Sequence, residues 1–346
     1  MGELLVKALL KQSLEAEDVL VHEVLKPEPC PNEVIIKVHF AGICGTDMKI
    51  YDGDYPSYKQ PLVLGHEFSG QVEAVGAGVE DLAIGTNVVA RTIVSSCGKC
   101  ELCIMGRESL CTWKKRIGFD HDGVFAEYVK VHKDQIHVLP KEIDLVSAAL
   151  IEPFTVVVHA LNPITIKPSD VVLVIGPGPI GLMAVLLCKA YGATVVVVGL
   201  EQDQKRLKLA QKMGADLVLV SDLDNSDSKL LALTDGQGAN IVLECSGTAG
   251  GVNQGLQLCR RGGQYVQIGT RSTPITVDFM KIAYKEIKVT GGIGHSKLDW
   301  ENSIRILQSG KVDFSPLIQD FYNLDQWKEA FDAFKNKGQT KVLFKL

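Results

Sequence analysis

The chain has 346 residues, 46% of them hydrophobic and 22% charged, with 36 basic and 41 acidic side chains and a formal net charge of −5. That length suits about two domains with a large core. The mild acidity offers nothing to a nucleic-acid backbone or an anionic membrane surface, so neither is expected as a partner. The opening M-G-E-L-L-V-K-A-L-L-K-Q holds no long uncharged apolar stretch, so no secretory signal is expected. Residues 171–188 are uncharged and near the minimum length for a membrane span. The G-P-G-P at Gly176 to Pro179 would break such a helix, and a buried strand, a turn and a buried helix explain the run better.

In chain order, residues 1 to about 155 read as mostly β. Segments 33–40, 68–75, 87–93, 126–131 and 135–138 are strand-like, with Gly, Pro and Asp between them at short intervals. This predicts a compact barrel with long loops. Past about residue 155, strands alternate with helices: strand 171–175 then helix 180–191, strand 194–200 then helix 202–213, then strands 217–221, 239–245, 264–268 and 287–290. The rhythm predicts an α/β unit with a doubly wound parallel sheet of about six strands. Helices at 300–308 and 324–334 and a short strand at 341–344 end the chain, and this tail is expected to return to the first domain. The expected division is 1–155 with 295–346, and 156–294.

Within the first half, Cys97, Cys100, Cys103 and Cys111 are spaced C-x2-C-x2-C-x7-C. Four thiolates in one short loop can close a tetrahedral shell around zinc, and a shell with no open position is structural. Two disulfides are the plainer alternative, and the spacing argues against them. The other five cysteines are Cys30, Cys44, Cys188, Cys245 and Cys259, widely spaced, and a reducing cytoplasm is the expected compartment.

The turn after strand 171–175 reads G-P-G-P-I-G. Gly176, Gly178 and Gly181 permit a tight turn and close approach of backbone to a pyrophosphate. The helix opened by Pro179 and Ile180 presents its N-terminal amides to the same anion. Such a run is weak evidence alone and strong between a strand and a helix. Glu201 lies twenty residues past Gly181. A carboxylate there accepts hydrogen bonds from the adenosine ribose and repels a 2′-phosphate, so NAD is favoured over NADP. Lys205 and Arg206 nearby keep NADP open, and Gly199 and Leu200 leave the strand's last residue undecided.

Cys44 lies in A-G-I-C-G-T-D, His66 and Glu67 in L-G-H-E-F-S-G, and Glu152 in A-L-I-E-P-F. A thiolate, an imidazole and a carboxylate with a fourth position open form a catalytic zinc pattern. Singly these are weak signals, since an isolated Cys is usually a small hydrophobe. With the cysteine quartet, F-A-E-Y and G-P-G-P-I-G in this order, the chain resembles the zinc-dependent medium-chain dehydrogenase family, most closely its polyol branch of sorbitol and threonine dehydrogenase relatives.

The resemblance covers essentially the whole chain. It implies a GroES-like β-barrel catalytic domain joined to a Rossmann domain, with the active site in the cleft between them. It also implies two zinc ions per chain, one catalytic and one structural, alcohol–ketone interconversion with NAD(H), and a homodimer or homotetramer. It assigns Cys44, His66 and Glu67 to the catalytic zinc, and Glu152 to a position where a carboxylate either binds zinc or holds its water. Zinc with one thiolate, one carboxylate and a neutral imidazole is formally neutral. A second carboxylate would weaken its power to acidify an alcohol, so three ligands at a time are expected, with Glu152 behind Glu67 or exchanging with it.

The expected chemistry is proton loss from the alcohol and hydride transfer to the nicotinamide. Thr46 stands where the family starts a proton relay, although simple turn chemistry also explains a Thr there. Asp47 is expected to orient the metal ligands. Many relatives carry His where this chain has Lys49. Lys49 is a proton carrier with a burial-lowered pKa, a contact for a substrate phosphate or carboxylate, or a solvated loop residue. Tyr51 and Phe119 are candidates for the substrate pocket and equally for the core. His121, His159 and His295 are assigned no role. The alternatives are a zinc-free quinone or enoyl reductase and a non-catalytic nucleotide-binding relative, and the intact Cys44, His66, Glu67 and cysteine quartet argue against both. Polyols, their phosphates, secondary alcohols, diols and amino alcohols all fit the sequence as substrates.

Overall fold

The computed structural model describes residues 4–55, 58–221, 225–336 and 340–346. They form two compact units, Met1–Pro153 with His295–Gln308 and Ile318–Leu346, and Phe154–Gly294 with Ser309–Leu317.

The first unit is organised around the strand Glu33–Gly42, whose E-V-I-I-K-V-H-F-A-G buries Val34, Ile35, Ile36 and Val38. It pairs antiparallel with Glu67–Val75, Tyr128–His132 and Lys341–Lys345. Register shifts at Ile35/Ile36 and Val38/Phe40 bend it, as closing a barrel requires. Asn87–Ala90, Ile136–Val138 and Ile318–Tyr322 complete this seven-stranded sheet. A smaller sheet joins Val19–Leu25, Leu5–Lys11 and Leu62–Val63. Leu9, Ile36, Phe125 and Phe344 share one core. Full burial of a side chain such as Phe125 contributes about 1.5–3 kcal/mol.

The expected strand 87–93 is two strands, Asn87–Ala90 and Ile93–Ser95. Between them the Arg91 N–H turns to the Gln135 carbonyl at 2.8 Å, and Gln135 Nε2 donates to the Arg91 carbonyl at 2.9 Å. The bonds that would extend the ladder are thus taken by another loop.

The second unit is an all-parallel sheet of six strands among the described residues. Across the sheet they run Leu217–Val220, Thr194–Gly199, Val171–Ile175, Ala239–Glu244, Cys259–Gln267 and Lys288–Gly291. V-V-L-V-I and the V-V-V-V of the next strand are apolar throughout because helices cover both faces of such a sheet. The chain starts at the middle, builds outward to one edge and then returns to the other side. The order therefore reverses between Val171–Ile175 and Ala239–Glu244, where doubly wound sheets bind ligands beyond the strand ends. The apolar run 171–188 is the strand Val171–Ile175 and the start of helix Pro179–Ala190, and no helix of the described residues is long and apolar enough to cross a membrane. The tail 295–346 is expected whole in the first unit, but Ser309–Leu317 clusters with the second, where Phe314 packs edge-on against Phe154 at 5.1 Å.

Candidate functional site

In the first unit the donor atoms of Cys44, His66 and Glu67 all lie within 4.8 Å of one another. Cys44 is the N-cap of the helix Gly45–Tyr51, and Asp47 Oδ2 accepts its backbone N–H at 2.8 Å, which anchors the thiol at the helix start. Glu67 opens its strand opposite Gly42, where a Cβ would collide with the Glu67 carboxylate. His66 is 6% exposed and Glu67 1%. Thr46 Oγ1 lies 3.7 Å from Cys44 Sγ, and Asp47 Oδ1 lies 3.4 Å from His66 Nδ1. Burial opposes charge on His66, but Asp47 and Cys44 prevail and hold its pKa well above the ordinary range. Burial raises the Glu67 pKa, against the pull of Lys341.

Lys341 was invisible to sequence reasoning. It is 2% exposed, donates to Glu67 Oε2, and lies 3.3 Å from the Ile43 carbonyl oxygen. K-V-L-F-K reads as a strand bracketed by two solvated lysines, and its carboxylate partner is 274 residues away.

Asp47 Oδ1, His66 Nδ1 and Glu67 Oε1 are buried without a hydrogen bond, although the first two face each other as an ion pair at 3.4 Å, and of the three only Glu67 Oε1 is left with no polar partner among the described residues. A buried polar atom left so costs about 1–3 kcal/mol. A half-buried thiol converging with a buried imidazole and a buried carboxylate is a donor set for zinc, and these residues fit that metal.

Glu152, the second residue of helix Ile151–Leu161, is buried but is not one of the three mutually close donors. It is near enough to Glu67 for its charge to raise the Glu67 pKa. Its Oε1 lies 3.3 Å from His295 Nε2, which is also 3.3 Å from Thr92 Oγ1. Burial works to raise the Glu152 pKa, but the His295 bond and the His66 charge hold it below the usual range. His295, given no role from sequence, is thus a buried partner of Glu152. Phe119 stacks obliquely beside His66 with ring centroids 5.2 Å apart, whereas Tyr51 packs edge-on into Trp327 and Phe331. Lys49 is half-buried on the helix that Cys44 caps.

The cysteine quartet is gathered, all four sulfurs lying within 4.8 Å of one another. Cys97 and Cys103 sulfurs are 3.8 Å apart, and Cys100 and Cys103 3.4 Å. A disulfide would need about 2.05 Å. A tetrahedral zinc with bonds of about 2.3 Å needs sulfurs about 3.8 Å apart, so this lobe also fits the metal. Backbone N–H groups of Lys99 and Cys100 pull the Cys97 pKa down to about 6, which favours the thiolate a metal requires.

In the second unit a cavity of about 980 Å³ opens at the reversal of strand order, lined by Gly176, Pro177, Gly178, Leu200, Asp203 and Arg206 among others. Gly178 caps the helix Pro179–Ala190, whose first residues include Ile180 and Gly181. A Cβ on Gly181 would strike the Gly176 carbonyl, so the turn closes this tightly only with glycine. The preceding strand ends at Gly199, and Glu201 is exposed at the start of the 3-10 turn Glu201–Asp203. The lining passes through Leu200, Gln202, Asp203 and Arg206 and omits Glu201. Asp203 Oδ1 is 3.5 Å from Arg206 Nη1, and Asp203 Oδ2 accepts the Leu200 N–H at 3.1 Å. Fully buried Glu244, also missed from sequence, accepts from the N–H groups of Ser246 and Gly247 and from Gln267 Nε2. It holds the loop that carries the cavity residues Cys245 and Ser246.

A family model for the alcohol dehydrogenase GroES-like domain matches residues 30–141, and one for zinc-binding dehydrogenase matches residues 179–309. The chain is 41% identical to a sorbitol dehydrogenase of Halalkalibacterium halodurans over 98% of both chains. The chain belongs to the zinc-dependent medium-chain dehydrogenase family. A D-arabitol-phosphate dehydrogenase of Enterococcus avium is 34% identical over 98% of this chain and 97% of the relative. A short chain alcohol dehydrogenase from E. coli CFT073, complexed with NADH, superposes with TM-score 0.90 at 29% identity over all of both chains. A zinc-binding dehydrogenase from Sinorhizobium meliloti 1021, bound to NADP, gives TM-score 0.91 at 30% identity over 99% and 100%. Within the family this chain joins the sorbitol- and threonine-dehydrogenase relatives, and it is an enzyme of the alcohol dehydrogenase type. Its fold is a GroES-like domain with a Rossmann-type parallel sheet.

Proposed function

We propose that this medium-chain dehydrogenase interconverts a secondary alcohol of a polyol-type substrate and its ketone, with zinc and NAD. The observation that carries the reading is the convergence of Cys44, His66 and Glu67, with buried polar atoms left without hydrogen bonds. Cys44, His66 and Glu67 would hold the catalytic zinc, and Cys97, Cys100, Cys103 and Cys111 a structural one. When bound, zinc supplies Lewis acidity for an alcohol oxygen, and the nicotinamide accepts or gives the hydride.

The chain's own residues do the rest. Thr46 Oγ1, 3.7 Å from the Cys44 sulfur, both accepts and donates, and it receives the substrate hydroxyl proton on its way to solvent. Asp47 faces His66 Nδ1 and orients the imidazole. His295 holds Glu152 beside the ligand set without making it a third anionic ligand. Gly176, Gly178, Pro179, Ile180 and Gly181 present the helix N-terminus to the cofactor pyrophosphate. Asp203 engages Arg206, so that cation is not left clear for a 2′-phosphate; this supports NAD, with Glu201 adding negative charge at the same turn. A reducing cytoplasm suits nine unpaired cysteines, and a homodimer or homotetramer belongs to the same reading.

Metal analysis and an NADH-absorbance assay over a panel of polyols, polyol phosphates and amino alcohols test it. Two zinc ions per chain, oxidation of at least one member, and loss of turnover in Cys44→Ser are expected. A chain with two zinc ions that oxidises no alcohol with either dinucleotide refutes it.

A further inference from the structure

Arg116 ends the short strand Lys115–Arg116. Its guanidinium lies over the Phe119 ring, with Cζ 4.2 Å from the centroid. The same ring neighbours His66. One aromatic ring thus separates a permanent cation from the imidazole of the donor trio. Tyr55 frames the cation further: its ring is 5.4 Å from that of Phe119, and its hydroxyl oxygen lies 3.3 Å from Arg116 Nη1.

The charge here is not balanced. Asp120 Oδ2 accepts the Arg116 backbone N–H at 3.0 Å and stands 3.7 Å from Nε, while Asp120 Oδ1 is 3.1 Å from Lys115 Nζ. One carboxylate shared by two cations leaves a positive charge over. Arg116 Nε is buried without a hydrogen-bond acceptor, and Nη1 meets only a neutral hydroxyl among the described residues. The side chain is 28% exposed, so a ligand can reach it. A guanidinium held over an aromatic ring by cation–π attraction keeps its donors without acceptors for a planar or tetrahedral oxyanion.

We propose that Arg116 receives an oxyanion at the end of the substrate remote from the reacting carbinol, so that the enzyme prefers polyols bearing a phosphate or a carboxylate to neutral polyols. This rests on reading Cys44, His66 and Glu67 as the reacting centre. The His66 ring and Arg116 Cζ lie 5.2 and 4.2 Å from the Phe119 centroid, a separation within the length of a chain of several carbons.

The test compares wild type, Arg116→Met and Arg116→Lys, each zinc-loaded, on a matched neutral pentitol, its terminal phosphate and the corresponding aldonate. Wild type should favour one anionic substrate in kcat/KM. Arg116→Met should cut the anionic-to-neutral ratio about tenfold or more, mainly through KM, and Arg116→Lys should restore part of it. The phosphate and aldonate arms show which oxyanion is preferred. A ratio unchanged in Arg116→Met, or all three substrates falling equally as a packing role for Arg116 predicts, overturns the proposal. Calorimetric titration of the pentitol phosphate into the NADH complex reads binding without turnover. Loss of that binding in Arg116→Met supports the proposal, and no binding to wild type overturns it. Oxidation of neutral pentitols alone defeats this inference and spares the dehydrogenase reading, whereas no oxidation of any alcohol defeats that reading.

Discussion

Trp300 Nε1 donates to His295 Nδ1 at 2.9 Å, and this bond decides what His295 can do for Glu152. An indole N–H only donates, so Nδ1 must accept and the proton of a neutral imidazole lies on Nε2, the nitrogen facing Glu152 Oε1. Trp300→Phe leaves a buried nitrogen unpaired and frees the tautomer. Urea denaturation should register a loss of about 1–3 kcal/mol. Turnover should fall several-fold, and His295→Gln, which keeps an N–H donor, should retain more activity than His295→Leu. Equal losses in these two variants would count against the positioning role.

Lys341 and Glu67 form a buried ion pair. Removing one partner of such a pair typically costs about 3–5 kcal/mol. Lys341→Met should therefore unfold at markedly lower temperature when zinc is chelated. Adding zinc gives Glu67 a new counter-charge and should recover part of the loss. An identical Tm decrease with and without zinc would show that the pairing is not what the substitution removed.

The cysteine lobe has little core of its own, with Ile104, Met105 and Trp113 all exposed, so its shape should depend on the metal. Cys100→Ser should lower the zinc content from two per chain to one and make the lobe the first site of limited proteolysis. Cys44→Ser should also lose one zinc but leave the lobe resistant.

Asp203 Oδ1 and Arg206 Nη1, 3.5 Å apart, both line the cavity of the second unit proposed to take the dinucleotide. Asp203→Ala should release that cation and shift the NAD-to-NADP ratio of kcat/KM toward NADP by roughly tenfold. Steady-state kinetics with both cofactors check this, and no shift would mean Arg206 never approaches the adenosine ribose.

His137 stacks on Trp300, with centroids 5.6 Å apart and planes within 8°. Burial first, then the charges of Arg91 and Lys297, push its pKa from 6.5 down to about 4. The unfolded chain thus takes up a proton near 6.5 that the folded chain refuses until about 4. Stability is full above 6.5 and is lost as pH falls through this window, by up to about 3 kcal/mol. His137→Phe binds no proton in either state. Urea curves at pH 5 and 7.5 should show a smaller pH-dependent loss for the variant than for wild type.

Much of this was legible in the sequence, because the signals are local. The strand at Val171–Ile175, the glycine turn and its helix are contiguous, and their periodicity and turn chemistry identify them within about twenty residues. The spacing of Cys97, Cys100, Cys103 and Cys111 likewise marks a candidate metal lobe, and the structure gathers the four sulfurs. The shared motifs around Cys44 and His66 name the family. Local periodicity also misjudged the segment 87–93, where side-chain bonds from Gln135 compete with the ladder.

By itself, then, the sequence determined the two-part α/β architecture, the family, and which thiols, imidazole and carboxylates are candidates for metal. Only the tertiary structure decided how their charges are balanced. Counting Lys341 with Cys44, Glu67 and Glu152 makes a divalent cation among all four formally neutral, which removes the charge objection to a second nearby carboxylate. His295, Trp300 and Arg116 likewise gain meaning only from what they touch. Neutralising a buried charge depends on distances of a few ångströms in space, and residues hundreds of positions apart leave no pattern along the chain that records such a distance.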